Sequence, residues 1–285
     1  MALSDNYPLV QVPGAQGLWH ILSRSPGYSG DAWCHLVPGK DKAMLVDTGF
    51  GIGDLKGLVE SLTALPVFVV NTHNHGDHVQ GNPQFGKVYI HSMDAPGLDK
   101  QMAAPARALP PDEVRQYNYT QDDLIQPAPY AVETVEDGHV FDLGGGYEVE
   151  VFHLPGHAEG GIALLDRKRR ALYSGDALVW TPTFCMSSDP DAIVTPYMTV
   201  EKFRQGLVRL MAHLDEFDVL YPGHSRLGIS KQIVPDMLAC CDELLCGDKS
   251  VAYRVPGRDK PVHVHGMAKI AFDDNRIHVS QGVNP

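Results

Sequence analysis

The stretch from Val67 to His78 constrains this chain more than any other. It opens with Val67-Phe68-Val69-Val70, a β-branched and aromatic run fit for a buried strand. The run stops at Asn71, and the chain continues Thr72-His73-Asn74-His75-Gly76-Asp77-His78. Three imidazoles and a carboxylate therefore fall within six residues, directly after a strand. In extended backbone alternate side chains share a face, so His73 and His75 can reach one metal together. A turn at Gly76 lets Asp77 and His78 point elsewhere. Imidazole nitrogen and carboxylate oxygen are ligands that zinc accepts. With 14 histidines in the chain an isolated one means little, but four ligand-type residues at this spacing point to a metal loop.

Three later residues share a setting. His157 follows Leu154-Pro155-Gly156, Asp176 follows Tyr173-Ser174-Gly175, and His224 follows Tyr221-Pro222-Gly223. Each comes after an apolar, strand-like run, with a glycine immediately before the ligand type. Loops at strand ends are where sheet proteins build sites, and glycine permits a sharp turn there. Singly, each reads as an ordinary loop residue. Together with the first cluster they complete two coordination shells.

The rest of the pattern alternates short strands with a few helices. Strands are expected at Leu18–Leu22, Trp33–Val37, Ala43–Val46, Val67–Val70 and Lys87–His91, with a helix over Asp54–Leu65. The second half follows the same alternation. Its strands are expected at His139–Leu143, Tyr147–Leu154, Gly161–Leu165, Ala171–Tyr173, Val219–Tyr221, near His263–Phe272 and at Arg276–Val279, with helices over Val200–Leu214 and Lys231–Leu245. The Pro- and Ala-rich middle, about Met93–Pro129, reads as a connection with weak helical patches. Strand-rich halves closing with helices suggest two sheets packed together with helices outside, in one domain of two pseudo-symmetric halves joined near 93–135.

Composition narrows the function. The net charge of -12 argues against broad nucleic-acid binding, which needs a basic surface. The basic run Arg167-Lys168-Arg169-Arg170 reads as a solvated hairpin turn. No apolar run reaches the roughly 18 residues needed to span a membrane. Met1–Pro8 does not read as a secretory signal, so a cytoplasmic location is expected. The five cysteines form no Cys-x-x-Cys pair, and Cys240, Cys241 and Cys246 read as buried or free thiols.

The H-x-H-x-D-H loop, the later His, Asp and His, and the upstream Asp47-Thr48-Gly49 resemble the metallo-β-lactamase superfamily, in family order over roughly Trp33–His224. The resemblance implies an α+β fold, a four-layer αββα sandwich of two packed mixed β-sheets with outer helices. It implies a first metal held by His73, His75 and His157, and a second held by Asp77, His78 and His224. Asp176 would bridge both, and Asp47 would orient a ligand histidine. The cofactors implied are two divalent metal ions, zinc first, with iron or manganese as alternatives. The implied chemistry is hydrolysis by a hydroxide shared between the metals, with Asp77 or Asp176 handling a proton.

Esters, lactones and thioesters are the first substrate class and phosphodiesters the second, in each case a small-molecule substrate. An iron-dependent oxidoreductase or dioxygenase on the same fold would use His73, His157 and Asp176, and stays open. A β-lactamase ranks lower, because relatives with that activity tend to carry Cys or Ser where this chain has Asp176. Trp180, Phe184, Met186 and Tyr197, after Asp176, form either a substrate wall or core packing, and Arg226 could hold an anionic substrate group. Gly49-x-Gly51-x-Gly53 fits neither dinucleotide nor phosphate-loop spacing and reads as a turn. His263 and His265 read as one face of a strand. The oligomeric state is not legible.

Overall fold

A computed structural model describes residues 9–27, 30–111, 117, 119–187 and 195–279. Met1–Pro8, where a signal would have been read, and part of the Met93–Pro129 connection lie outside them. The chain forms two units, Met1–Val149 and Glu150–Pro285.

In unit 1 the strands are β1 (Leu9–Pro13), β2 (Trp19–Ser23), β3 (Ala32–Pro38), β4 (Ala43–Val46), β5 (Val67–Val70), β6 (Lys87–His91), β7 (Ala131–Val135) and β8 (Val140–Asp142). The first seven make one sheet in sequence order. β1 to β4 pair antiparallel, and β4 through β7 pair parallel. Parallel neighbours need crossovers. α1 (Leu55–Leu62) crosses from β4 to β5, α2 (Gly76–Val79) lies between β5 and β6, and α3 (Ala95–Met102) begins the longer path to β7. Asp54 caps α1 by accepting from the Gly57 N–H at 2.7 Å. Leu55, Val59 and Leu98 cover Leu36, Leu45, Val69 and Val88 in one core. Every residue of β4 is buried, as expected of a strand covered on both faces.

In unit 2 a sheet runs β14 (Ile229–Ser230), β13 (Val219–Pro222), β11 (Ala171–Gly175), β10 (Ile162–Asp166) and β9 (Glu148–His153), the last holding the unit boundary. A smaller sheet runs β12 (Thr183–Cys185), β17 (Ala268–Phe272), β16 (Pro261–His265) and β15 (Tyr253–Arg254). α4 (Val200–Met211) and α5 (Ile233–Leu245) bury Phe203, Leu207, Met237, Cys240 and Leu244 against these sheets. Among the described residues no helix is long and apolar enough to cross a membrane.

Most expected strands and helices appear within a few residues of their expected ends. The strand expected at Arg276–Val279 does not form. Asp274–Arg276 is a 3-10 turn, and the segment's backbone bonds go to the start of α4: Glu201 N–H donates to Ile277 O, and Val279 N–H to the Glu201 carboxylate. Arg276 is buried there, so its place in the sequence did not mark an outward face. The basic run is the β10–β11 turn, with Arg170 in the left-handed region. It is not all solvated: Arg169 is buried against Asp166 at 2.8 Å. Gly49, Gly51 and Gly53 all have positive φ, the conformation of a winding turn. The described cysteines are free thiols, buried except Cys246.

Candidate metal centre

Unit 1 supplies four of the ligand-type residues from the loop after β5 and the turn of α2. The parallel register Val46↔Val70 brings Asp47, one residue past β4, beside this loop. Asp47 sits at φ 62, a left-handed conformation uncommon for a residue with a side chain. Its buried carboxylate accepts from the Thr72 N–H at 2.7 Å, the Thr72 hydroxyl at 2.8 Å and His78 Nδ1 at 2.9 Å. A carboxylate only accepts, so His78 carries its proton on Nδ1 and turns Nε2 to the ligand position. Thr72 gives its one hydroxyl proton to Asp47, so its oxygen accepts from His73 Nδ1 at 3.1 Å. Asp47 thus orients His78 directly and His73 through Thr72.

The loop is pinned on its other side as well. Asn71 and Asn82 exchange side-chain hydrogen bonds, and Thr48 N–H donates to His78 O at 2.8 Å. Asn74 N–H donates to Asp94, and Gln101 donates to Asn74 O. His73 and His75 come together, ring centroids 4.6 Å apart, and the His73 and His78 rings lie 4.2 Å apart. Ligand atoms of His73 and His75, of His73 and His78, and of Asp77 and His78 lie within 4.8 Å of one another.

Unit 2 supplies the other three. β11 and β13 are parallel, with a register shift that pairs Gly175 with Pro222, and Gly223 N–H donates to Gly175 O at 2.8 Å. This sets Asp176 and His224 side by side. Gly175 has φ 48, and Gly156, before His157, has φ 130. A Cβ at Gly156 would lie 2.7 Å from Phe203 Cβ, so the turn into His157 requires glycine twice over. Gly223 is not among the glycines with positive φ, so the expected turn role does not extend to it. His157 Nδ1 donates to Phe184 O at 3.1 Å, which again leaves Nε2 as the ligand atom. Asp176 Oδ2 lies 3.4 Å from His157 Nε2 and 3.5 Å from His224 Nε2, one oxygen between two imidazoles. Imidazoles held by Nδ1 and presenting Nε2, with carboxylates beside them, form a donor set that suits a divalent ion of the zinc type.

The remaining expected residues separate. The Arg226 guanidinium lies 5.3 Å over the Trp180 ring, and Lys269 Nζ lies 4.7 Å over the same ring while donating to Trp180 O. Burial lowers the Lys269 pKa. Arg258 covers Phe184 at 5.0 Å. Tyr197 packs against His153 and Lys202. Met186 is core, buried with Val262 and Ala271. His263 and His265 both bond Glu243 of α5, at 2.8 and 2.7 Å. Sequence reading missed Thr72, Asn82 and the Phe184 carbonyl. Only Thr72, placed just before His73, left any signal.

The mixed sheets with their helices and the clustered His and Asp residues define a class, and the family model agrees. The metallo-β-lactamase superfamily model matches residues 28–224, and the chain belongs to that superfamily, a metal-dependent hydrolase of α+β fold. The chain is 29% identical to the acyl-coenzyme A thioesterase MBLAC2 of Bos taurus over 237 residues, covering 70% of this chain and 79% of that protein. It is 28% identical to a hydroxyacylglutathione hydrolase of Francisella tularensis over 110 residues, 39% of this chain and 33% of that protein. A β-lactamase domain protein from Burkholderia ambifaria shares the fold at TM-score 0.61 and 17% identity, with 85% of this chain and 80% of that one covered.

Proposed function

We propose that the seven ligand-type residues close on one binuclear centre and that the enzyme hydrolyses acyl thioesters, with esters and lactones in the same class. One metal would be held by His73, His75 and His157 and a second by Asp77, His78 and His224, with Asp176 shared between the two groups. Zinc suits this donor set first, with iron or manganese as alternatives. The observation that carries the reading is Asp176 Oδ2, held at 3.4 and 3.5 Å from two imidazole nitrogens. A carboxylate so placed would be shared by ions held at the two imidazoles. The named thioesterase and hydroxyacylglutathione hydrolase among the relatives favour a thioester over a β-lactam.

When bound, the metal pair polarises the carbonyl and lowers the pKa of water. The chain's own residues do the rest. Asp47 and Thr72 hold His73 and His78 in the tautomer and orientation that binding needs. Asp77, 3.9 Å from His78 Nε2, takes the proton that water loses. As the C–S bond breaks, that proton passes to the departing sulfur, leaving a carboxylic acid and a thiol. Trp180, with Arg226 held over it, would meet the polar carrier of the thioester. The substrate is a small molecule, and the location is cytoplasmic. Metal analysis tests the centre: two metals per chain are expected. Asp176→Asn should bring the metal content below two per chain and lower kcat about 10- to 100-fold. One tightly bound metal per chain in the fully reconstituted native enzyme would contradict the binuclear reading.

A further inference from the structure

Unit 1 contains a cavity of about 200 Å³ that no step above uses. Its wall is largely apolar: Val79, Pro83, Met102, Ile125, Ala128 and Tyr130. The wall is built by α2, by the end of α3, and by the segment that leads from the 3-10 turn Gln121–Asp123 into β7. Three of the polar side chains on it are held by hydrogen bonds. Arg107 donates to the carbonyls of Phe50, Gly51 and Ile125, and burial lowers its pKa to about 10. The Tyr130 hydroxyl accepts from Asn82 at 3.3 Å, and Gln101 donates to Asn74 O at 2.7 Å.

The cavity also touches the metal loop. Gly76, which lines it, separates His75 from Asp77 in the chain. Gln101, on the same wall, holds the backbone between His73 and His75. The apolar hollow thus adjoins the backbone of the ligand loop at Gly76, between His75 and Asp77. The hollow is partly open to solvent, and its apolar wall gains when an apolar group displaces water from it.

We propose that this cavity holds the acyl chain of the thioester, and that it selects medium-length chains. The proposal rests on the thioesterase reading above. At about 30 Å³ per water-sized group the volume takes roughly six or seven methylenes, so an octanoyl chain fills it. Each methylene moved from water into an apolar wall strengthens binding about fourfold.

The test uses S-alkyl-coenzyme A thioethers, which cannot be hydrolysed, in calorimetric titrations of the metal-loaded enzyme. Affinity should rise about fourfold per methylene from S-methyl to S-octyl and then flatten. Ala128→Trp fills the cavity and should lower the ratio of S-octyl to S-methyl affinity at least tenfold. Met102→Ala enlarges it and should move the plateau to longer chains, which keeps the proposal exposed if Ala128→Trp fails to fold. Affinity independent of chain length, or an unchanged ratio in both variants, would overturn it. The two readings fail separately. Chain-length-dependent binding with no hydrolysis of any acyl-coenzyme A would keep the cavity assignment and remove the thioesterase. Hydrolysis with no chain-length dependence in binding would do the reverse.

Discussion

At the scale of single residues, Asp47 carries more of the site than a position 26 residues before His73 suggests. Its carboxylate fixes one imidazole directly and another through Thr72. In Asp47→Asn the new amide can give its N–H to His78 Nδ1. That moves the His78 proton to Nε2, the atom meant for the metal. Metal affinity measured against a competing chelator should fall about 10- to 100-fold. An affinity within twofold of the parent would mean that Asp47 has no such role. A second prediction concerns His20, paired in register with His35, the two Nδ1 atoms 2.9 Å apart. Burial lowers its pKa from 6.5 to about 4. Above pH 6.5 both folded and unfolded chains hold it neutral. Below that, the unfolded chain takes a proton that the folded one refuses, so stability falls until about pH 4, by about 3 kcal/mol in all. Urea unfolding of metal-free protein between pH 7 and 4.5 should show a shallower loss in His20→Gln than in the parent. Parallel pH curves would rule out this contribution.

At the scale of elements, the strand pattern was legible because apolar runs ended in Gly, Pro and charge. β4, β5 and β6 appear with their expected ends. β1, β7, β12 and the two-residue β14 and β15 were not legible, since short or edge strands carry too few residues to show a period. The false strand at Arg276–Val279 failed for a different reason: contacts with α4 decide its conformation, and those lie some 75 residues away in sequence. The ligand loop was legible because four ligand-type residues sit within one turn of chain. Thr72 and the Phe184 carbonyl were not, because their roles exist only once distant segments meet. The turn into His157 allows a prediction. Gly156→Ala places a methyl against Phe203 at a φ of 130 that side chains do not adopt. It should destabilise the metal-free protein by about 1–3 kcal/mol in urea unfolding and weaken metal binding as His157 shifts. Unchanged stability would show that α4 gives way at no cost.

At the scale of the whole molecule, each unit carries a ligand half-set at the ends of its own strands, and the family match from 28 to 224 includes both. Neither half-set alone supplies the shells of two ions, so hydrolysis should depend on both. The most direct measurement is steady-state kcat/KM of the metal-loaded enzyme on octanoyl-coenzyme A, S-lactoylglutathione, an aryl ester, a lactone, a phosphodiester and nitrocefin. An acyl thioester should rank first, within the ordinary enzyme range of about 10⁴–10⁸ M⁻¹s⁻¹. A value in that range for nitrocefin or the phosphodiester, above every thioester and ester tried, would contradict the account.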